Sequence, residues 1–404
     1  MAHRTPRRIT IIGASLAGVR AAESLRRRGF DGTLTLVGAE SVPAYQRPVL
    51  SKKYLTGDQQ ASDIALPLGD LNADVRLGTR AVRLDTAERR VWLRQGTGEP
   101  YPQSYDGLLV ACGTRARTLA GPAMAGVHTL RTVGDADALR TALRTGSPHV
   151  VVVGGGLIGQ EVAATARALG LDVTLVDPLP FPGMRALGPG AGQVLAALHT
   201  DHGTKLRLGH TVAALEGGDC VTGVRLSDGS VIPADVVVVG VGVEPATDWL
   251  AGSGLDVTDG VRCTGNLAAV GAPGITAAGD VARWKHPRSG RSVRVEHWEN
   301  ALRQADAAAH TLLEGDAAPA FGETTMFWSN LYDSRVQLIG SPGPDDTFEI
   351  VEGDPQSRRF VGSYGNGPRR TGVLLFNMPQ RMPHYRQAFD EDTPLDCGPF
   401  EATI

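Results

Sequence analysis

Apolar residues gather along this chain in short runs bounded by glycine or polar residues, and two of the runs open the same longer pattern. Ile9–Ile12 leads into Gly13-Ala14-Ser15-Leu16-Ala17-Gly18, a helical stretch to Arg28, a stop at Gly29 and a second run at Leu34–Val37. Val150–Val153 leads into Gly154-Gly155-Gly156-Leu157-Ile158-Gly159, a predicted helix over Glu161–Leu169, a stop at Gly170 and a second run at Val173–Val176. Runs this short and this apolar predict central strands of parallel sheets, so each segment is a strand–helix–strand unit. Leu108–Ala111 and Val236–Val239 predict further buried strands. From about Phe321 the pattern changes to alternating positions rich in Trp and Tyr. Arg335–Ile339, Thr347–Val351, Arg359–Tyr364 and Thr371–Phe376 predict an antiparallel sheet with covering helices.

The expected fold class is α/β, with two Rossmann-like dinucleotide-binding domains and a C-terminal α+β domain. A chain of 404 residues calls for such a division, because single cores stop growing at roughly 250–300 residues. In a G-x-G-x-x-G turn the first glycine makes the strand-to-helix turn, the second admits a pyrophosphate, and the third lets helix pack on strand. The helix N-terminus then offers unpaired N–H groups to the phosphates. Gly154, Gly156 and Gly159 meet this in full, and Asp177 ends the following strand, where it can accept hydrogen bonds from a ribose and repel a 2′-phosphate. NADH is therefore expected over NADPH, with Arg185 close by as the residue that keeps NADPH open. In the first copy Ser15 stands at the second glycine and Glu40 is the ribose acid.

Composition narrows the classes. A formal net charge of −3 and only short basic runs exclude the footprint of a nucleic-acid binder. Cys112, Cys220, Cys263 and Cys397 are too dispersed for a C-x-x-C redox pair or a zinc ribbon and fit a reducing compartment. The basic start Met1–Arg8 runs directly into a strand without a signal core, and no apolar run reaches about 18 residues. A cytoplasmic location, with no membrane partner, is the expectation.

Eight segments together carry a resemblance over essentially the whole chain. They are Gly13–Gly18 with Leu36–Glu40, Arg47-Pro48-Val49-Leu50-Ser51-Lys52, Ala111–Arg117, Gly154–Glu161, Val241–Pro245, Ala277-Ala278-Gly279-Asp280-Val281-Ala282, Glu296–Ala301 and Phe327-Trp328-Ser329-Asn330. In their order and spacing the chain resembles the FAD- and NADH-dependent ferredoxin reductases of putidaredoxin-reductase type, which serve haem monooxygenases and ring-hydroxylating dioxygenases. The resemblance implies a glutathione-reductase-type fold. Residues 1–115 and 245–320 would form a discontinuous FAD domain, 116–244 the NADH domain and 321–404 an interface domain. It also implies tightly bound, non-covalent FAD at the first glycine unit, NADH at the second, and an iron–sulfur ferredoxin of the 2Fe–2S type as partner.

The same resemblance assigns residues. Lys52 matches a lysine near the flavin N5 atom, Glu161 a glutamate facing the nicotinamide, and Trp298 and Trp328 aromatic residues beside the isoalloxazine; these four are the expected catalytic set. Asp280 matches the acid near the ribityl chain, and Arg47 and Arg131 line the FAD site. Gly13, Ser15, Ala17, Gly18, Glu40, Val82, Ala111, Gly113, Gly154, Gly156, Leu157, Ile158, Gly159, Asp177, Gly242 and His297 complete the expected cofactor contacts. An ammonium near N5 would stabilise charge on reduced flavin and pair with a nearby carboxylate. The pattern departs from the family at Val49, Cys112 and Asn330-Leu331, and the last pair leaves potential and partner choice open.

Disulfide- and peroxide-reducing relatives need a second redox centre, and no cysteine precedes Cys112, which reads as an inert buried thiol. Electrons must then leave through an external acceptor. Arg283, Lys285, Arg288, Arg291 and Arg294 form a basic cluster that would steer an acidic ferredoxin. Rubredoxin reductase and NADH oxidase remain alternatives on the same fold, and a signalling flavoprotein resembling apoptosis-inducing factor is an alternative of another class.

Overall fold

Short runs of β-branched and leucine side chains leave a strand no polar face, so it is stable only with both faces covered. The computed structural model, which describes residues 6–69, 71–287, 290–367 and 369–391, meets that demand in two compact units. One comprises Met1–Gln46, Ala61–Arg115 and Val243–Glu323; the other comprises Arg47–Gln60, Ala116–Gly242 and Thr324–Ile404.

In the first unit a five-stranded parallel sheet runs in the order Ile275–Ala277, Gly107–Val110, Arg8–Ile12, Thr33–Val37, Asp74–Arg76. Ile9 registers with Leu34 on one side and Gly107 on the other. Helix Leu16–Arg27 packs on helix Trp298–Glu314. Asp306 fastens the two, accepting from Ser24 Oγ at 2.5 Å and pairing with Arg28 at 2.7 Å. A three-stranded antiparallel sheet, Thr79–Asp85, Arg90–Gln95 and Tyr101–Ser104, carries a bulge at Val82.

The second unit repeats the parallel design in the order Lys205–Leu208, Val173–Asp177, Val150–Val153, Val236–Val239, Val127–His128. Its helix spans Leu157–Ala168, starting earlier than the predicted Glu161. The reason is Gly159, which is not a breaker here but part of the first turn, where a Cβ would sit 1.9 Å from the Gly154 carbonyl oxygen. Gly159–Ala166 are all buried, as befits a helix covered all round. Val162, Ala163 and Ala166 join the core of the strand valines, while Ala164 joins Phe327, Leu331 and Val336 of the C-terminal sheet.

That sheet is antiparallel throughout, in the order Met326–Leu331, Ser334–Gly340, Arg369–Phe376, Arg359–Asn366, Thr347–Asp354. Its first strand escapes the hydrophobic pattern because its buried face includes Ser329 between Phe327 and Leu331. The expected covering helices come from two sources. Met382–Asp390 covers one face through Tyr385 and Phe389, and Met184–Asp201, which follows the second strand–helix–strand segment, covers the other through Leu187, Leu195 and Leu198. Among the described residues no helix is long and apolar enough to cross a membrane.

The glycines of the second loop should separate by role. Gly156 has φ −68° and nothing within 4 Å of the place a Cβ would take, whereas Gly159 has a carbonyl in the way. Gly159→Ala is expected to lower unfolding stability by about 1–3 kcal/mol and Gly156→Ala to change it by no more than about 0.5 kcal/mol. Urea denaturation midpoints check this, and equal losses would refute the assignment.

Candidate functional site

Both glycine loops use one backbone device. At Gly13 φ is +120° and a Cβ would lie 2.1 Å from the Ala111 carbonyl oxygen; at Gly18 it would lie 1.8 Å from the Gly13 oxygen. At Gly154 φ is +109° and the obstructing oxygen, 2.3 Å away, belongs to Gly240. Gly240 thus stands to the second loop as Ala111 stands to the first, a correspondence visible only once the strands are aligned. The middle positions differ, since Gly156 faces open space and Ser15 carries a side chain on extended backbone.

The two helices behind these loops, Leu16–Arg27 and Leu157–Ala168, have no acid in the first turn and no side-chain cap. Helix Val133–Arg144 in the same chain has a full capping box from Thr132 and Asp135. The nucleotide helices therefore keep their N–H groups and partial positive charge for an anion. This arrangement fits a dinucleotide pyrophosphate at each loop.

Within the first unit, the Glu40 carboxylate accepts from Tyr45 Oη at 2.6 Å and Asp280 accepts from Thr114 Oγ1 at 3.2 Å. Gly279, with φ +79°, makes the turn into Asp280, and its N–H donates to Gln304 Oε1 at 2.9 Å. A side chain at Gly279 would come within 3.3 Å of Ala17 Cβ, so Ala17 packs beneath this turn. Gly113 also has positive φ and accepts from the Ala246 N–H. His297 caps the helix that Trp298 begins, and burial pushes its imidazole down to about 4 against the opposing influence of Asp280. Cys112 Sγ donates to the Ala246 carbonyl at 3.2 Å, and burial pushes its thiol up to about 11, far from a reactive thiolate. Val82 lies half-buried at the bulge.

In the second unit, Asp177 is buried at the end of its strand and braces the loop. Its Oδ2 accepts from the Gly155 N–H at 2.5 Å and its Oδ1 from the Leu179 N–H at 2.8 Å. Each oxygen retains acceptor capacity for a further donor. Leu157 and Ile158 open the helix, with Ile158 exposed, and Gly242 has φ +97° with open space around it. Arg47 Nη1 donates to the Arg131 carbonyl at 2.6 Å. Arg185 is exposed.

The strongest constellation in this unit centres on Glu161, which is 3% exposed. Lys52 Nζ lies 2.6 Å from Oε2, Ser51 Oγ donates to Oε2 at 2.5 Å, and Ser329 Oγ donates to Oε1 at 2.6 Å. Lys52 also donates to the Pro48 carbonyl at 2.9 Å, and Thr165 Oγ1 donates to the Ser51 carbonyl at 2.6 Å. A buried carboxylate costs several kcal/mol unless its lone pairs are met by charge and hydrogen bonds, and here all three donors converge on it. The sequence leads to an ion pair between Lys52 and a nearby carboxylate without naming it as Glu161; the two hydroxyls are not foreseen, although both lie inside the matched segments. Trp328 precedes Ser329 on the opposite, half-buried face of its strand.

The basic cluster needs correction at two of its five members. Arg283 and Arg294 are cross-strand partners, and each is drawn to carboxylates from elsewhere in the unit. Arg283 pairs with Asp256 at 3.2 Å; Arg294 pairs with Asp259 at 2.8 Å and Glu296 at 2.6 Å. Their side chains are only 22% and 13% exposed, so they add no uncompensated positive face. Lys285 and Arg291 are exposed, and Arg288 lies outside the described residues.

Comparison with known proteins places these features in a family. Residues 7–305 match the pyridine nucleotide-disulphide oxidoreductase family, and residues 326–399 match the reductase C-terminal family. The chain is 38% identical over 394 residues to rhodocoxin reductase of Rhodococcus erythropolis, covering 96% of this chain and 90% of that one. It is 39% identical over 355 residues to the ferredoxin–NAD(+) reductase component of the biphenyl dioxygenase system of Paraburkholderia xenovorans (strain LB400), covering 86% and 84%. Among solved structures, the covalent putidaredoxin reductase–putidaredoxin complex matches with TM-score 0.89 at 30% identity, over 96% of this chain and 94% of that chain.

The Glu161 cluster should behave as one unit in a mutant cycle. Lys52→Met is expected to cost about 3 kcal/mol and Ser329→Ala about 1–3 kcal/mol, each by leaving the carboxylate under-compensated. In a Glu161→Leu background Ser329→Ala should lose most of its effect. Denaturant unfolding of the four combinations measures the coupling, and simple additivity of Ser329→Ala with Glu161→Leu would rule it out.

Proposed function

Because the chain belongs to the pyridine nucleotide-disulphide oxidoreductase family, we propose that it is an FAD-containing reductase that takes hydride from NADH and passes electrons to a small iron–sulfur ferredoxin. That ferredoxin, of the 2Fe–2S type, in turn supplies a haem monooxygenase or a ring-hydroxylating dioxygenase. The observation that carries the reading is the presence of two glycine loops of the same backbone construction, each with an uncapped helix behind it. One dinucleotide is the resident FAD, held by the first unit; the other is NADH, held by the second. FAD supplies the ability to accept a hydride and to give up electrons singly.

This chain's own residues do the binding and the electrostatics. Gly156 leaves room for the NADH pyrophosphate, and Asp177 orients the loop while its carboxylate favours a ribose diol over a 2′-phosphate. In the first unit Asp280 and Glu40 supply carboxylate acceptors held by Thr114 and Tyr45, and the buried His297 imidazole is neutral. Lys52 and Glu161 supply a positive and a negative charge whose attraction is strengthened by burial, and the two serine hydroxyls hold the carboxylate in place for the nicotinamide side of the reaction. Cys112, with its thiol raised to about 11, is unsuited to relay electrons, which favours an external acceptor over disulfide chemistry. A cytoplasmic setting, where NADH is regenerated, fits this role.

The purified protein should be yellow with stoichiometric, non-covalent FAD that NADH bleaches anaerobically, and a 2Fe–2S ferredoxin added next should be reduced. A colourless protein that takes up no FAD would remove the reading. Reoxidation by oxygen as fast as by any ferredoxin would favour an NADH oxidase instead. Asp177→Asn keeps an acceptor for the loop but removes the charge, so the preference for NADH over NADPH should fall by about tenfold. Steady-state kcat/KM with both coenzymes measures it.

A further inference from the structure

We propose that Tyr332, His199 and Gln160 form a directed hydrogen-bond relay through which the C-terminal sheet holds the second glycine loop in its nucleotide-binding shape. They act as positioning residues for NADH. The proposal rests on the reading that the Gly154–Gly159 loop binds NADH.

The direction of the relay follows from its fixed end. The Gly155 carbonyl can only accept, so the Gln160 side-chain amide nitrogen must face it, donating at 3.0 Å. Gln160 Oε1 is then an acceptor, and His199 Nε2, 3.3 Å away, must carry the proton. That leaves Nδ1 to accept from Tyr332 Oη at 2.8 Å, and Tyr332 Oη to accept from Thr204 Oγ1 at 2.8 Å. Every proton along the chain points toward the glycine loop. The assignment requires a neutral imidazole. His199 is fully buried, and desolvation together with nearby His202 pushes it down to about 4.

Both ends of the relay are made with care. Gly155 also accepts from the Gly183 N–H at 2.7 Å and donates its own N–H to Asp177, so the peptide at the centre of the loop is gripped from the sheet, the helix and the following loop. At the far end Tyr332 occupies the turn between strands Met326–Leu331 and Ser334–Gly340 with φ +54°. Glycine or asparagine adopts that backbone far more easily than tyrosine. A bulky residue kept in a strained conformation points to a function for its side chain. Its ring stacks on His202, centroids 4.0 Å apart, which fixes the hydroxyl toward His199. The neighbouring residue Glu161 accepts directly from Ser329 of the same hairpin, so consecutive positions of one helix are tied to this hairpin, Glu161 directly and Gln160 through His199.

Tyr332→Phe removes only the hydroxyl and keeps the stacked ring. In the holoenzyme, anaerobic stopped-flow reduction by NADH should show an apparent dissociation constant raised about fivefold, as expected for one lost neutral hydrogen bond, with the limiting rate of flavin reduction changed by less than about twofold. Deuterium uptake by peptides spanning residues 154–160, measured without nucleotide, should quicken. Tyr332→Asn relaxes the turn, so it should match or exceed the Phe variant in melting temperature and still bind NADH as weakly. Unchanged NADH affinity and unchanged exchange in Tyr332→Phe would overturn the relay, and so would a loss of affinity in Tyr332→Asn that simply tracks melting temperature. In the wild-type holoenzyme NAD+ should slow exchange at 154–160. If it does not, the assignment of NADH to this loop fails and the proposal falls with it, a result distinct from failure of the relay alone.

Discussion

The second unit is organised around the buried carboxylate of Glu161. Glu161 lies in a helix covered on every side, and a carboxylate in such a place persists only if its surroundings supply compensating positive charge and hydrogen bonds. The donors come from stretches far apart in sequence: Ser51 and Lys52 from the short segment Arg47–Gln60, and Ser329 from the first strand of the C-terminal sheet. Thr165, one turn along the same helix, binds the Ser51 carbonyl and fixes the segment's backbone as well. Satisfying one side chain therefore brings three separate pieces of chain into register.

The glycine loops depend on a different constraint, the absence of atoms. Gly13, Gly18, Gly154 and Gly159 lie where a methyl group would strike a carbonyl oxygen, so strand and helix approach more closely than any other residue allows. Beyond them the helices are left without side-chain caps, although this chain builds a complete capping box at Thr132 and Asp135 for another helix. N–H groups without side-chain partners at these two ends reserve binding capacity for an anion.

Much of this is legible in the sequence, for physical reasons. The valine and isoleucine runs have no polar face to expose, so their strands and parallel pairing follow almost directly, and the glycine spacing reveals the turns. Strand Met326–Leu331 is not legible because Ser329 interrupts its apolar face, and that serine makes sense only opposite Glu161. The helix after the second loop is expected too late because Gly159 has helical neighbours but the look of a breaker. Two of the arginines near Asp280 mislead for a further reason. Cations close together in sequence invite a docking patch, but Asp256, Asp259 and Glu296 reach Arg283 and Arg294 in space and neutralise them.

The segment Arg47–Gln60 carries a consequence for how the molecule can be divided. It is flanked on both sides by chain belonging to the first unit, yet its Ser51 and Lys52 complete the charge balance of the second. A gene fragment beginning at residue 116 would encode every sheet of the second unit described here and none of this segment, leaving Glu161 buried beside a single hydroxyl. The two units are thus not interchangeable modules that recombination could shuffle by cutting at a linker. The second unit inherits part of its charge balance from a stretch embedded in the first unit's sequence, and a graft of it onto a new partner must carry those fourteen residues, 47–60, along with it.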